Sequence, residues 1–265
     1  VKRLGSYLNP GKSSFEMALN SQIFVDKSGM IDITNRLIKT MQRFVCVSRP
    51  RRFGKSMALD MLAAYYERDA CSSELFQHLK ISEKESYLKH LNQYDVVKIN
   101  IQEFLSATHT VNDMLDMIRR YLIFDLTENF QEVRYRDENN LVQVMKDIFS
   151  KTGRSFVILI DEWDCLFREY KEDQEAQRLY LDFLRAWLKD KEYVALAYMT
   201  GILPVKKYGS HSALNMFTEY SMTNPGNLSE YFGFTEHEVE LLCGEYNMSF
   251  QEAKAWYDGY ELVSY

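Results

Sequence analysis

Arg49-Pro50-Arg51-Arg52-Phe53-Gly54-Lys55-Ser56 separates an apolar run, Phe44-Val45-Cys46-Val47, from the stretch Met57-Ala58-Leu59-Asp60-Met61-Leu62-Ala63-Ala64-Tyr65-Tyr66. The first run has the composition of a buried strand. In the second, Met57, Met61 and Tyr65 recur at a spacing of four, as do Ala58, Leu62 and Tyr66, which predicts a helix with one apolar face. A strand, a tight turn and Gly-Lys-Ser at a helix start form the arrangement that cradles a nucleotide's phosphates. Gly54 permits backbone N–H groups to turn inward, Lys55 reaches the β- and γ-phosphates, and the Ser56 hydroxyl suits a magnesium ion. The full pattern asks for another glycine where Arg49 stands. Taken alone, the same residues also fit a basic turn before an ordinary helix.

A second stretch bears on that choice. Phe156-Val157-Ile158-Leu159-Ile160 is the clearest strand in the sequence, and it runs directly into Asp161-Glu162. An apolar strand ending in Asp holds Mg²⁺ in nucleoside triphosphatases, and a following Glu activates water. A buried strand that ends in a solvated acidic turn reads the same way. The two stretches together favour nucleotide binding. Thr200-Gly201 closes the next strand, Tyr193–Thr200. A hydroxyl there can sense the γ-phosphate or place the attacking water, and a strand-terminal Thr with a local hydrogen bond fits as well.

Outward from these stretches the chain alternates between the two periodicities. Ile23-Phe24-Val25 reads as a short strand, and Ile31, Ile33, Leu37 and Ile38 as a helix. Ser82-Glu83-Lys84-Glu85 fits a capping box, which predicts a helix start. Asp95 to Ile101 reads as the second core strand, with helices predicted through Val111–Leu122 and Leu141–Ile148. Glu128–Asn140 is polar and reads as an exposed loop. Ala176, Leu179, Tyr180, Phe183, Leu184, Trp187 and Leu188 make a helical stripe, and Tyr220-Ser221-Met222 a last short strand. Capping boxes at Thr235–Glu238 and Ser249–Glu252 predict a small helical appendage. Alternation of this kind implies an α/β fold with a mostly parallel sheet covered on both faces.

Composition bounds the rest. The 265 residues are 46% hydrophobic and 26% charged, with a formal net charge of -6. That balance supports a sizeable core and gives no global basic field for nucleic acid. Arg49–Arg52 and Lys206-Lys207 are local basic clusters, and direct nucleic-acid binding through them is not expected against that charge. The four cysteines (Cys46, Cys71, Cys165 and Cys243) are scattered without a C-x-x-C pair, which predicts reduced thiols and a cytoplasmic setting. No apolar run is long enough to span a bilayer. The chain begins at Val1 rather than Met, so a preceding segment is expected.

The ordered set Phe24-Val25-Asp26-Lys27-Ser28, Arg49 to Ser56, Ile160-Asp161-Glu162-Trp163-Asp164, Thr200-Gly201-Ile202, Tyr231-Phe232-Gly233-Phe234-Thr235 and Trp256-Tyr257-Asp258-Gly259-Tyr260 resembles the bacterial AAA-ATPase-like family of predicted ATPases. The resemblance covers essentially the whole chain, and arginine at position 49 is part of it. It implies a P-loop NTPase three-layer sandwich akin to STAND-type and archaeal ATPases, with the phosphate-loop strand central and the acid-bearing strand nearby. It also implies that Phe24–Ser28 lies near adenine. Members commonly continue into a C-terminal region resembling restriction-endonuclease-like nucleases. No acid/Lys cluster of that kind occurs in this chain, so no nuclease activity is expected of it.

The expected organisation is a lead-in segment at 1–44 packed near the nucleotide, an ATPase core at 45–234, and the start of a helical domain at 235–265. The expected ligands are ATP and Mg²⁺, with ADP as product. Arg51, Arg52, Phe53, Gly54, Lys55, Ser56 and Met57 would contact the nucleotide, and Ser56 and Asp161 the metal. Glu162, Lys55 and Thr200 would be catalytic. The alternative is a nucleotide-dependent switch with little turnover, acting through a protein partner or a C-terminal nuclease-like region.

Overall fold

A computed structural model describes residues 6–205 and 214–257. Lys206-Lys207 and the Asp258–Tyr260 part of the last motif lie outside the described residues. Five strands form one parallel sheet: β1 (Phe44–Ser48), β2 (Asp95–Asn100), β3 (Phe156–Asp161), β4 (Val194–Gly201) and β5 (Thr218–Tyr220), in the order β2-β3-β4-β1-β5. The phosphate-loop strand β1 is thus fourth in the row, and β4 lies between it and the acid-bearing strand β3.

Strand side chains alternate between faces, and each face has its own core. Phe44 and Cys46 of β1, with Phe156, Ile158 and Ile160 of β3, pack under α6 (Ile101–Ser106), α7 (Val111–Asn129), α8 (Leu141–Thr152), α9 (Cys165–Glu169) and α10 (Gln174–Leu188). Val45 and Val47, with Val157 and Leu159, pack under α1 (Ser13–Leu19), α2 (Met30–Leu37) and α3 (Lys55–Tyr66) on the other side. Both faces are covered, and β1, β3 and β4 carry largely apolar runs. The result is an α/β three-layer sandwich.

The helix starts follow local chemistry. The Asn140 side chain accepts from Gln143 N at 3.1 Å and so caps α8. Asp173 accepts from Ala176 N at 2.9 Å and caps α10. Thr235 and Glu238 form the predicted capping box at the start of α11 (Glu236–Glu245), and α12 (Phe250–Tyr257) follows. α3 differs: Gly54 stands at its N-cap and no side chain caps it.

Three expectations change. Ile23-Phe24-Val25 is not a strand. Phe24 packs edge-on against Phe15, with ring centroids 6.2 Å apart, so it is held by side-chain packing rather than by a ladder, and Ile23 is exposed. No helix starts at Ser82, because its hydroxyl turns back to donate to Leu79 O at 2.7 Å. Lys80–Glu83 is therefore a 3-10 turn. The last strand lies two residues earlier than predicted, because Ser221 N leaves the sheet to donate to Asn224 O at 3.1 Å.

Candidate functional site

The C-terminal ends of β1, β3 and β4 converge on the loop before α3. Gly54 has φ 77, a left-handed conformation that favours glycine, and Arg52 has φ 68. This turn presents the uncapped first-turn N–H groups of α3, together with the positive end of a helix dipole. Lys55 is buried, and its ammonium donates to Pro50 O at 2.7 Å. Burial pushes its pKa down, and the nearby Glu162, Asp161 and Asp164 carboxylates pull the other way.

The Ser56 hydroxyl donates to Asp161 Oδ2 at 2.6 Å, which joins the phosphate loop to the end of β3. Asp161 Oδ1 accepts from Glu162 N at 2.9 Å. A hydroxyl and a carboxylate in contact offer the hard oxygen donors that Mg²⁺ prefers, and Mg²⁺ takes few protein ligands when phosphates supply others. The donor set therefore fits the ion. Glu162 follows with φ 51, a strained value for a non-glycine residue. Its carboxylate is ion-paired with Arg168 of α9.

These groups line one open cleft of about 700 Å³, bounded by Arg51, Arg52, Gly54, Lys55, Ser56, Met57, Asn100, Gln102, Glu162, Arg168 and Glu169. In a chain of net charge -6, that places Arg51, Arg52, Lys55 and Arg168 around one space. A second pocket of about 150 Å³ adjoins it and shares Arg52, Gly54 and Met57. Phe53, Phe24, Val25, Met61 and Phe234 are among its apolar lining residues, and Lys27 stands at its wall.

The predicted residues thus divide by position. Arg51, Arg52, Gly54, Lys55, Ser56, Met57 and Glu162 line the cleft, Asp161 touches Ser56, and Phe53 faces the apolar pocket. Thr200 is buried at the end of β4, outside the cleft lining. Its hydroxyl has no hydrogen-bond partner among the described residues. Arg49 lies behind the loop, fully buried, where it donates to Ser48 O at 3.0 Å and Tyr220 O at 2.6 Å. Its guanidinium also lies 5.5 Å from the Phe232 ring.

Sequence reasoning missed Asn100 and Arg168. Asn100 ends β2 in register with Asp161, so a polar residue closing the second strand was the available signal. Arg168 lies six positions after Glu162, on the helix that the acid pair opens into. The Phe232-Gly233 motif was visible but had no role attached to it. Gly233 N donates to Phe53 O at 3.2 Å, which ties the phosphate loop to the segment leading into α11. Lys27 extends that link by donating to both Glu238 carboxylate oxygens, at 2.8 and 2.7 Å.

The model of one protein family, described as predicted AAA-ATPase, matches residues 11–210. A curated relative from Azotobacter chroococcum mcd 1, described as an uncharacterized protein in the vnfD 5' region, is 25% identical over 248 residues. That alignment covers 89% of this chain and 45% of the relative, so the chain spans about half of that protein's length. The family match takes in the phosphate loop, the acid-bearing β3 and the end of β4, the segments that build the cleft. On that match, the chain belongs to the predicted AAA-ATPase family.

Proposed function

We propose that the cleft binds Mg·ATP and hydrolyses it. The observation that carries this reading is the Ser56–Asp161 contact, which brings the loop hydroxyl and the strand-terminal acid to one point beside Lys55. The first-turn N–H groups of α3 and the Lys55 ammonium would hold the β- and γ-phosphates. Arg51 and Arg52 would add charge-assisted bonds from the loop. The adjoining pocket, with its apolar lining, suits the base. The Ile23–Val25 backbone at its edge is out of any sheet, and its N–H and C=O groups would read adenine. Ser56 and Asp161 would hold Mg²⁺, which when bound neutralises charge on the phosphate oxygens.

Glu162 would accept a proton from the attacking water once its carboxylate is free of Arg168. The orphaned Thr200 hydroxyl would help orient that water or the terminal phosphate. Catalysis here is mainly positioning and electrostatics. In this reading residues 1–44 are a lead-in segment packed near the nucleotide site, 45–234 form the ATPase core, and 235–265 begin a helical unit.

A second reading is a nucleotide-dependent switch with little turnover. The engaged Glu162 carboxylate favours it, and so does the link from Phe53 through Gly233 to α11. Phosphate release from Mg·ATP under single-turnover conditions separates the two readings. Conversion at a rate that falls on Glu162→Gln supports hydrolysis, whereas tight binding with no phosphate released supports the switch. Failure of the protein to bind Mg·ATP or Mg·ADP refutes both.

A further inference from the structure

Arg168 occupies a place that the phosphate loop does not explain. It projects from α9 and lines the same cleft as Lys55. One guanidinium nitrogen, Nη2, pairs with Glu162 Oε2. Nε lies 3.4 Å from Asp164 Oδ2 without making a hydrogen bond. Asp164 itself is fully buried and pinned by Ile202 N at 3.0 Å and Leu203 N at 2.7 Å. The root of Arg168 is therefore fixed by the segment following β4, while its outer end holds the carboxylate by one nitrogen. A guanidinium carries five N–H donors, so this pairing leaves donors for a second acceptor.

A terminal phosphate in the cleft is that acceptor. It carries more charge than a carboxylate and presents oxygens that match the guanidinium fork. Arg51 and Arg52 project from the loop that would wrap every phosphate, so they serve diphosphate and triphosphate alike. Arg168 comes from α9 and is paired with Glu162, the acid that the reading above sets beside the reacting terminal phosphate.

Resting on the nucleotide reading above, we infer that Arg168 is the residue by which this cleft tells a triphosphate from a diphosphate. Its guanidinium passes from Glu162 to the terminal phosphate, and that exchange frees the Glu162 carboxylate. With ADP the ion pair persists and the carboxylate stays engaged.

The test compares affinities for β,γ-imido-ATP and ADP, both with Mg²⁺, in the wild type, Arg168→Gln, Arg168→Lys, Glu162→Gln and the Arg168→Gln/Glu162→Gln double variant. The preference for the triphosphate should fall about tenfold in Arg168→Gln, the scale of one charge-assisted bond, with ADP affinity unchanged. Arg168→Lys keeps the charge without the fork. It should lie between the two, and it carries the test if the Gln variant does not fold. Glu162→Gln releases Arg168, so it should tighten imido-ATP but not ADP, and that gain should vanish in the double variant. Equal weakening of both nucleotides by Arg168→Gln overturns the inference, because a merely structural arginine behaves that way. Persistence of the Glu162→Gln gain without Arg168 also overturns it, since simple relief of repulsion then explains the gain. If the wild type binds neither nucleotide, the reading of the cleft falls and this inference falls with it.

Discussion

Removing Lys55 should abolish nucleotide binding without unfolding the protein, and the structure gives a scale for both halves of that statement. An ammonium has three donors, of which Pro50 O takes one at 2.7 Å. Two remain for phosphate oxygens. Charge-assisted bonds of this kind contribute about 1.5–3 kcal/mol each, so Lys55→Ala should weaken Mg·ATP by about 10²–10⁴-fold. Stability should respond differently. Burial lowers the Lys55 pKa, so the folded chain holds that proton less tightly than the unfolded chain does. The charged side chain therefore opposes folding below the lowered value, and the opposition fades as pH rises through it. Lys55→Met removes the buried charge but also the bond to Pro50 O, a loss of about 1 kcal/mol. The two changes oppose, and the net should stay within about 1 kcal/mol, a shift of a few degrees in Tm. Titration calorimetry with Mg·ATP, beside thermal unfolding of the free proteins, reads both. Binding by Lys55→Ala within about threefold of the wild type refutes the site. A collapse of Tm in Lys55→Met refutes the account of its burial.

Glu162→Gln should retain Mg·ATP binding and lose turnover by about 10²–10⁴-fold in single-turnover phosphate release; unchanged turnover removes Glu162 as the base. Ser56→Ala should weaken ATP binding about tenfold with Mg²⁺ present and leave binding in chelator unchanged, and equal loss in both conditions argues against a metal-holding hydroxyl. Gly201→Ala should destabilise the fold by about 1–3 kcal/mol in denaturant unfolding. An added Cβ would stand 2.4 Å from Asp164 Oδ1 and 2.8 Å from Trp163 Cδ1, and Asp164 is pinned; an unchanged midpoint means that it yields. Lys27→Met leaves the largely buried Glu238 without its cation and should speed amide exchange across α11. Burial lowers the Lys27 pKa from 10.5, so the folded chain gives up that proton first. The wild type should therefore gain stability relative to Lys27→Met as pH rises toward 10.5, and a gap that moves the other way contradicts the assignment.

The sheet was legible because its signals are local. Phe44–Val47, Phe156–Ile160 and Tyr193–Thr200 are largely apolar runs whose length and composition already describe strands buried on both faces, and Asp95–Asn100 carries Val96, Val97 and Ile99 among polar residues. The capping box at Thr235 was legible for the same reason, since both of its bonds close within four residues. The failures were decided by partners outside the motif itself. Ile23-Phe24-Val25 has strand composition, but Phe24 is held against Phe15 and no ladder includes it. Ser82-Glu83-Lys84-Glu85 matches a capping box, yet its hydroxyl finds a nearer acceptor upstream. At the site, the identities of Lys55, Ser56, Asp161 and Glu162 were readable. Arg168 was not, because its meaning lies in one ion pair and in a buried Asp164 that itself depends on residues 202 and 203.

Arg49 shows how such distant contacts change the sense of a motif. In sequence it stands where a phosphate loop usually has glycine, beside Arg51 and Arg52, as one of three cations that could face a ligand. In the fold it is fully buried and bonded to carbonyls of β1 and of the segment closing β5, with Phe232 against its guanidinium. Burial lowers its pKa, and Nε and Nη2 find no partner among the described residues, so the brace is held at some energetic cost. Backbone freedom is accordingly displaced along the loop to Arg52 and Gly54, the positions with positive φ. A short edge strand such as β5 gains little from its own ladder, and Arg49 supplies a second tie between that edge and the root of the phosphate loop. Because Phe232 runs directly into Gly233 and the segment before α11, Arg49 also ties the root of the phosphate loop to that segment.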